Sequence, residues 1–242
     1  MIHALGRAVA DLANPRVLAI MLQTLLISLA IFVLLGAFLV WLLDASDPCA
    51  FVGAGSCQVG IGNSIVGAAA LTLLGTWFLF PAVAITVMTG FADRIASAVE
   101  GLHYPNAAKR ARPVGVARGL LMGLKSGARL IAFNVLAIPF YLLLLVTGVG
   151  PFILFVIVNG IAIGRDIAEL AAARHGDSAS RRAWLKKTRG QQHFIGVVVS
   201  VLFLVPFANL FAPVIGIAAG IHLFNASFWS MSVNKRAIAA RG

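Results

Sequence analysis

The stretch LIAFNVLAIPFYLLLLVTGVGPFILFVIVNGIAIG, residues 130–164, decides the fold. It includes no Asp, Glu, Lys or Arg. One upright helix needs about 20 apolar residues to cross a bilayer, so the run is too long for a single pass. It also carries Pro139, Gly148-Val149-Gly150-Pro151 and Asn159-Gly160, the punctuation of a break or turn. Division there leaves one leg over Leu130–Thr147 and a shorter one over Phe152–Gly164. Apolar segments of about 10–14 residues have the length of re-entrant pieces. The sequence predicts a helical hairpin over about 130–164 that enters the membrane from one side, with legs short enough to stop before the far face.

A second charge-free run, residues 190–234, repeats the pattern with Pro206, Asn209 and Pro213. Its legs are Phe194–Phe207 and Pro213–Trp229, a hairpin over about 194–229. Ile138-Pro139-Phe140 answers Val205-Pro206-Phe207, and Pro151-Phe152-Ile153 answers Pro213-Val214-Ile215, a weak internal repeat of unequal proline spacing. Two straight spans come earlier, at about 17–43 and 63–92. The expected architecture is an all-α integral membrane protein, one membrane domain over 1–242, with two long transmembrane helices and two hairpins that are candidates for hemi-penetration. Interrupted helices in two corresponding places point to a transporter's permeation site. Packing kinks are the equally weighted alternative.

Composition supports the membrane. Of the 242 residues, 60% are hydrophobic and 11% charged, against about 25% charged in an ordinary soluble domain. So few polar groups cannot cover a soluble surface, and disorder requires the opposite composition. The net charge is +11. No zinc finger or RNA-binding motif accompanies it, so the basic surplus reads as membrane topology and anionic lipid rather than nucleic acid. Basic segments at 93–129 and 165–189, with both termini, go to the cytoplasm, and the acidic loop 44–62 goes outside. The expected location is a bacterial inner membrane. Cys49 and Cys57 both fall in the outer loop, as a disulfide or as two free thiols.

The search for chemistry finds no HExxH, no GxSxG and no complete phosphate loop. An enzyme is not expected, nor a metal or cofactor. No carboxylate falls inside a charge-free stretch, where proton-coupled carriers usually place one. The breaks instead offer helix N-termini, with Pro151 and Pro213 each read as a first helical residue. Unpaired backbone N–H groups and a partial positive charge there would attract an anion. Gly150, Asn159 and Asn209 are the candidate anion-binding residues at these breaks, with Arg16 and Arg165 at the mouths. For Arg16 the simpler alternative is a positive flank; for Arg165 it is an i,i+4 pair with Glu169. His222 reads as a packing residue. Glycines 115, 119, 123 and 127, and the pairs Gly160/Gly164 and Gly216/Gly220, are close-approach positions for another helix. Hypotheses from two classes follow: an anion permease or channel, and a non-transporting membrane scaffold or assembly factor.

Three ordered motifs carry a family resemblance. Phe80-Pro81…Asp93-Arg94…His103-Tyr104-Pro105 is the first. Asn159-Gly160…Gly164-Arg165…Glu169…Arg174 is the second. Pro206-Phe-Ala-Asn209-Leu-Phe-Ala-Pro213…His222-Leu-Phe is the third. Together they resemble the sulfate permeases of the CysZ type and their relatives, the etoposide-induced membrane proteins. The resemblance implies two spanning helices and two hemi-penetrating hairpins, a homo-oligomer (dimer or larger), and sulfate uptake for cysteine synthesis without ATP. Sulfate members carry adjacent arginines after a proline near the first span; here the residues are Pro15-Arg16-Val17.

Overall fold

A computed structural model describes residues 2–45, 87, 90–175 and 177–239. The described residues are helical, in two compact units. One comprises residues 1–20 and 89–242, the other residues 21–88. The predicted loop 44–62 with Cys49 and Cys57, and most of the predicted span 63–92, lie outside the described residues.

The helices are α1 (Ile2–Asp11), α2 (Pro15–Ala45), α3 (90–103), α4 (Pro105–Ala108), α5 (Val116–Leu144), α6 (Gly150–Ala173), α7 (Ser178–Lys187), α8 (Arg189–Leu204) and α9 (Ala208–Ala239). Asn14-Pro15 starts α2: the Asn14 carboxamide oxygen accepts the Arg16 amide at 3.0 Å, and Pro15 sits where a free N–H would be lost anyway. Four described stretches are long and apolar enough to cross a membrane: Pro15–Phe38, Ala117–Thr147, Gly150–Ala173 and Ala208–Phe228. The chain is an all-α membrane protein.

In the larger unit α9 is the core. Its apolar window is 72% buried, against 6% for that of α5. Ala212, Val214, Ala218, Ala219, Ile221 and Phe224 of α9 are fully enclosed. α5 instead shows Leu121, Ile131, Leu136 and Leu143 outward, an apolar surface that only lipid or another apolar partner covers.

Both hairpins form, with boundaries that differ from expectation. The first turns at Gly148-Val149 after a 3-10 turn, Leu145–Thr147, and Gly148 has the positive φ of 69° that glycine permits. Both of its legs are longer than expected, because α5 begins at Val116 and α6 runs on to Ala173. The basic segment 93–129 therefore includes the first turns of α5. Pro139 lies inside α5 without breaking it. In the second hairpin the turn is Val205-Pro206-Phe207, with Phe207 at φ 65°. Pro213 is not a first helical residue but lies inside α9, which starts at Ala208. The proposed repeat thus pairs unlike positions. Pro139 is intrahelical where Pro206 makes a turn, and Pro151 opens a helix where Pro213 is intrahelical.

Glycines set the seam between α6 and α8. A Cβ on Gly164 would strike the Gln192 carbonyl, and one on Gly196 would strike the carbonyl of Gly160. The predicted Gly160/Gly164 pair is therefore a backbone contact with α8. Gly216 and Gly220 of α9 do the same for the Ile167 side chain. Gly115 and Gly127 of the longer stripe meet nothing within 4 Å.

Behind the seam lies a buried polar network. Arg174 donates to Asp93 at 2.7 Å, to Ser97 at 2.8 Å and to Glu100 at 3.0 Å. His175 Nε2 meets the other Glu100 oxygen at 2.7 Å, and the Asp93 carboxylate also accepts the Val114 amide at 3.0 Å. Burial alone would push the Glu100 carboxyl upward, but hydrogen bonds from His175 and Arg174 outweigh it and leave the group below its usual range. These contacts bind α3, the 109–115 linker and the end of α6 together.

Candidate functional site

A cationic cleft lies where α6, α7 and α8 meet. Local sequence builds it. Asp177 caps α7, accepting the amides of Ala179 and Ser180 at 2.8 Å each. Its carboxyl is held below the usual range, chiefly by the Ser180 amide. Trp184 faces inward, fully buried, its indole donating to Ser227 Oγ at 2.7 Å and meeting the Phe224 ring edge-on at 4.9 Å. Residues two either side of an inward tryptophan point away from it, so Arg182 and Lys186, one turn apart, share the outer face. Thr188 forms the α7–α8 corner, and the Gln192 amide pins it by donating to Thr188 Oγ1 at 2.7 Å and to the Leu185 carbonyl at 2.8 Å. Arg189 and His193, again one turn apart, then face the same space.

The result is a cavity of about 450 Å³ lined by Arg165, Arg182, Lys186, Arg189, Gln192 and His193, with an apolar wall of Phe133 and Ile161. Among the described residues, no acidic one lines it. Sulfate, phosphate or a carboxylate fits such a space together with its water. Arg165 is tied to Glu169 at 2.7 Å, the i,i+4 pair that sequence allowed as its alternative. The same Glu169 also accepts from Arg129 at 3.3 Å, and Asp166 takes Arg129 and Ser126. Both carboxylates lie just past Gly164, outside the charge-free run, because α6 continues to Ala173 and carries them on its C-terminal part; their partners Arg129 and Ser126 on α5 were not foreseen.

The other candidates lie elsewhere. Gly150 opens α6 and Arg165 lies 15 residues further along it, about 22 Å away at 1.5 Å per residue, so a single ion cannot touch both. The backbone donors that open the two helices after these turns are taken. The Gly150 amide donates to Thr147 Oγ1 at 2.8 Å, Pro151 has none, and the amides of Phe152 and Ile153 go to the Val149 carbonyl at 3.1 and 3.2 Å. At the start of α9 the amides of Ala208, Asn209 and Leu210 go to Pro206, Val205 and Phe207. This corrects the expectation of unpaired N–H groups there: Thr147 and the tight turns use them. Asn159 is buried and donates to its own helix at Phe155, 2.9 Å away. Asn209 is exposed at the second residue of α9, and Arg16 is exposed at the start of α2, lining neither this cleft nor the second cavity described below. Of the five candidates, only Arg165 joins a cationic site.

His222 is a packing residue with a richer setting than expected. It is buried, 2.9 Å from Asp11 and 2.9 Å from the Tyr104 hydroxyl. His103 reaches the other Asp11 oxygen at 2.6 Å.

The family model described as sulfate transporter CysZ/etoposide-induced protein 2.4 matches residues 4–213. The chain belongs to that family. It is a multi-pass membrane protein of a sulfate-transporter type, and the family is one of transporters, not enzymes. No curated protein sequence matches the chain. Family membership also gives the buried network a context, since Asp93 and Arg174, two residues of the ordered motifs, meet at 2.7 Å inside it.

Proposed function

We propose that the chain passes sulfate, or a small inorganic anion like it, across a bacterial inner membrane, as a homo-oligomer and without ATP hydrolysis. The observation that carries this reading is the acid-free cleft of Arg165, Arg182, Lys186 and Arg189. Arg182, Lys186 and Arg189 are exposed. They raise the local anion concentration through their field rather than holding one ion tightly. Fast release suits a permease mouth, where a buried cation would trap the ion. The basic segments support a cytoplasmic position for this mouth.

The test is radiolabelled sulfate flux into proteoliposomes of the purified chain. Flux above empty liposomes is expected. The double variant Arg182→Glu/Lys186→Glu should slow it several-fold at low ionic strength. The deficit should shrink in salt, as the Debye length falls from about 10 Å at 0.1 M to about 3 Å at 1 M. No flux from the native chain overturns the transport reading. A double variant that matches the native rate at low salt overturns the assignment of the cleft.

A further inference from the structure

Three helices that are distant in sequence bring two imidazoles and a carboxylate to one point. Asp11 ends α1, His103 ends α3, and His222 lies in the buried part of α9. The sequence separations of His103 and His222 from Asp11 are 92 and 211 residues. Each side chain offers one ligand atom, and the three atoms lie within 4.8 Å of one another. Both oxygens of Asp11 face imidazole Nε2 atoms, at 2.6 Å for His103 and 2.9 Å for His222.

Two neutral imidazoles and one carboxylate make a donor set for first-row divalent ions, with positions left for water or another ligand. A shared ion about 2.1 Å from each donor sets neighbouring donors about 3.0–3.4 Å apart. The two Asp11–imidazole separations, 2.6 and 2.9 Å, lie just below that range, and all three ligand atoms fall within 4.8 Å of one another. A metal-bound imidazole also needs a partner for its other nitrogen, to fix the ring and its tautomer. His222 has one: its Nδ1 is 2.9 Å from the Tyr104 hydroxyl, which accepts once Nδ1 carries the proton. Access exists as well. Asp11 and His222 are 4% and 1% exposed, while His103 is partly open and lines a cavity of about 500 Å³ with Tyr104, Asn106, Arg110 and Asn225. Arg110 on that wall favours water or an anion, rather than a second cation, at the open positions.

We propose that Asp11, His103 and His222 bind a first-row divalent transition-metal cation, with Tyr104 orienting His222. The ion joins α1 and α3 to the core helix α9, all within the larger unit. The assignment is independent of what the chain transports.

The test uses the full chain in detergent, free of any polyhistidine tag, stripped with a chelator and titrated with Zn2+ or Co2+. Elemental analysis after desalting reads retention, and the visible spectrum of Co2+ reads nitrogen coordination. Stoichiometric retention is expected, with a rise in melting temperature on adding Zn2+. His103→Ala removes the most exposed ligand and should cut affinity at least tenfold while elution volume and metal-free melting temperature stay native. Tyr104→Phe should weaken binding about 10–100-fold without abolishing it. Failure of the stripped native chain to retain stoichiometric Zn2+ or Co2+ overturns the proposal. Undiminished binding by His103→Ala also overturns it.

Discussion

Glu100 shows how much one side chain supports. It is fully enclosed and holds Arg174 and His175 against α3. Removing one partner of a buried ion pair typically costs about 3–5 kcal/mol, because the other charge stays behind uncompensated. Arg174 keeps Asp93, so Glu100→Gln should fall at the lower end, about 3 kcal/mol, read as a lower melting temperature in detergent at neutral pH. The acid dependence has a definite sign. The folded Glu100 carboxyl titrates below the unfolded one, whose ordinary value is 4.5. Its stabilisation is therefore complete above that value and is lost as pH falls through the folded one. The native chain should lose melting temperature on acidification below about pH 4.5, and Glu100→Gln should lose less over the same interval. Parallel acid limbs for the two proteins would contradict this role.

Among elements, the α6–α8 seam is the contact least tolerant of change. With the Gly160 carbonyl where a Gly196 Cβ would stand, the two backbones must separate to admit any side chain. Gly196→Val should destabilise by about 1–3 kcal/mol, as overpacking does. It should also open the cationic cleft, which both helices line, so flux and melting temperature fall together. Gly127→Val, at a position with open space around it, is the control expected to melt as the native chain does. This seam was legible as a Gly-xxx-Gly spacing, but its partner was not, since no sequence period says which helix a small residue faces. The hairpins were legible for a related reason: charge-free length is a property of the solvent, and lipid imposes it. Proline was a poorer guide. Alone it cannot say whether its missing N–H is absorbed inside a helix, as at Pro139 and Pro213, or at a turn, as at Pro206. The cleft was signalled only faintly, by Arg182 and Lys186 one turn apart and by Arg189 beyond a helix corner, all three merged by the charge count into one basic segment, 165–189. Nothing local announces the Asp11, His103 and His222 cluster, because its members meet only through tertiary packing.

At the scale of the whole molecule, the seam sets how far each hairpin turn lies from the α6–α8 crossing. Gly196 lies against Gly160 and Gly164, and from that crossing both chains run to their turns. Along α8 the distance to Leu204 is about 12 Å; along α6 back to Gly150 it is about 15–21 Å. Measured from the polar end, the apolar length is about 16 Å for His193 to Leu204 and about 22 Å for Arg165 to Gly150. A hydrocarbon core is about 30 Å thick. These two legs fall short of that thickness while their partners carry crossing-length stretches, Ala117–Thr147 and Ala208–Phe228; the half-inserted pair is the arrangement to test, and the exposed Val146, Val149 and Phe207 at the tips, 93%, 62% and 81% open, suit an apolar surrounding. The prediction is made with single cysteines in a Cys49→Ser/Cys57→Ser background and a membrane-impermeant maleimide. Lys186→Cys should label from one face only, the face that also exposes the N-terminus. Val146→Cys should label from neither face in sealed vesicles and become reactive only in detergent. Labelling of Val146→Cys from the face opposite Lys186→Cys would mean that the hairpins cross, that basic segments on one side no longer account for the topology, and that the cationic cleft is one end of a full span rather than the base of a half-inserted pair.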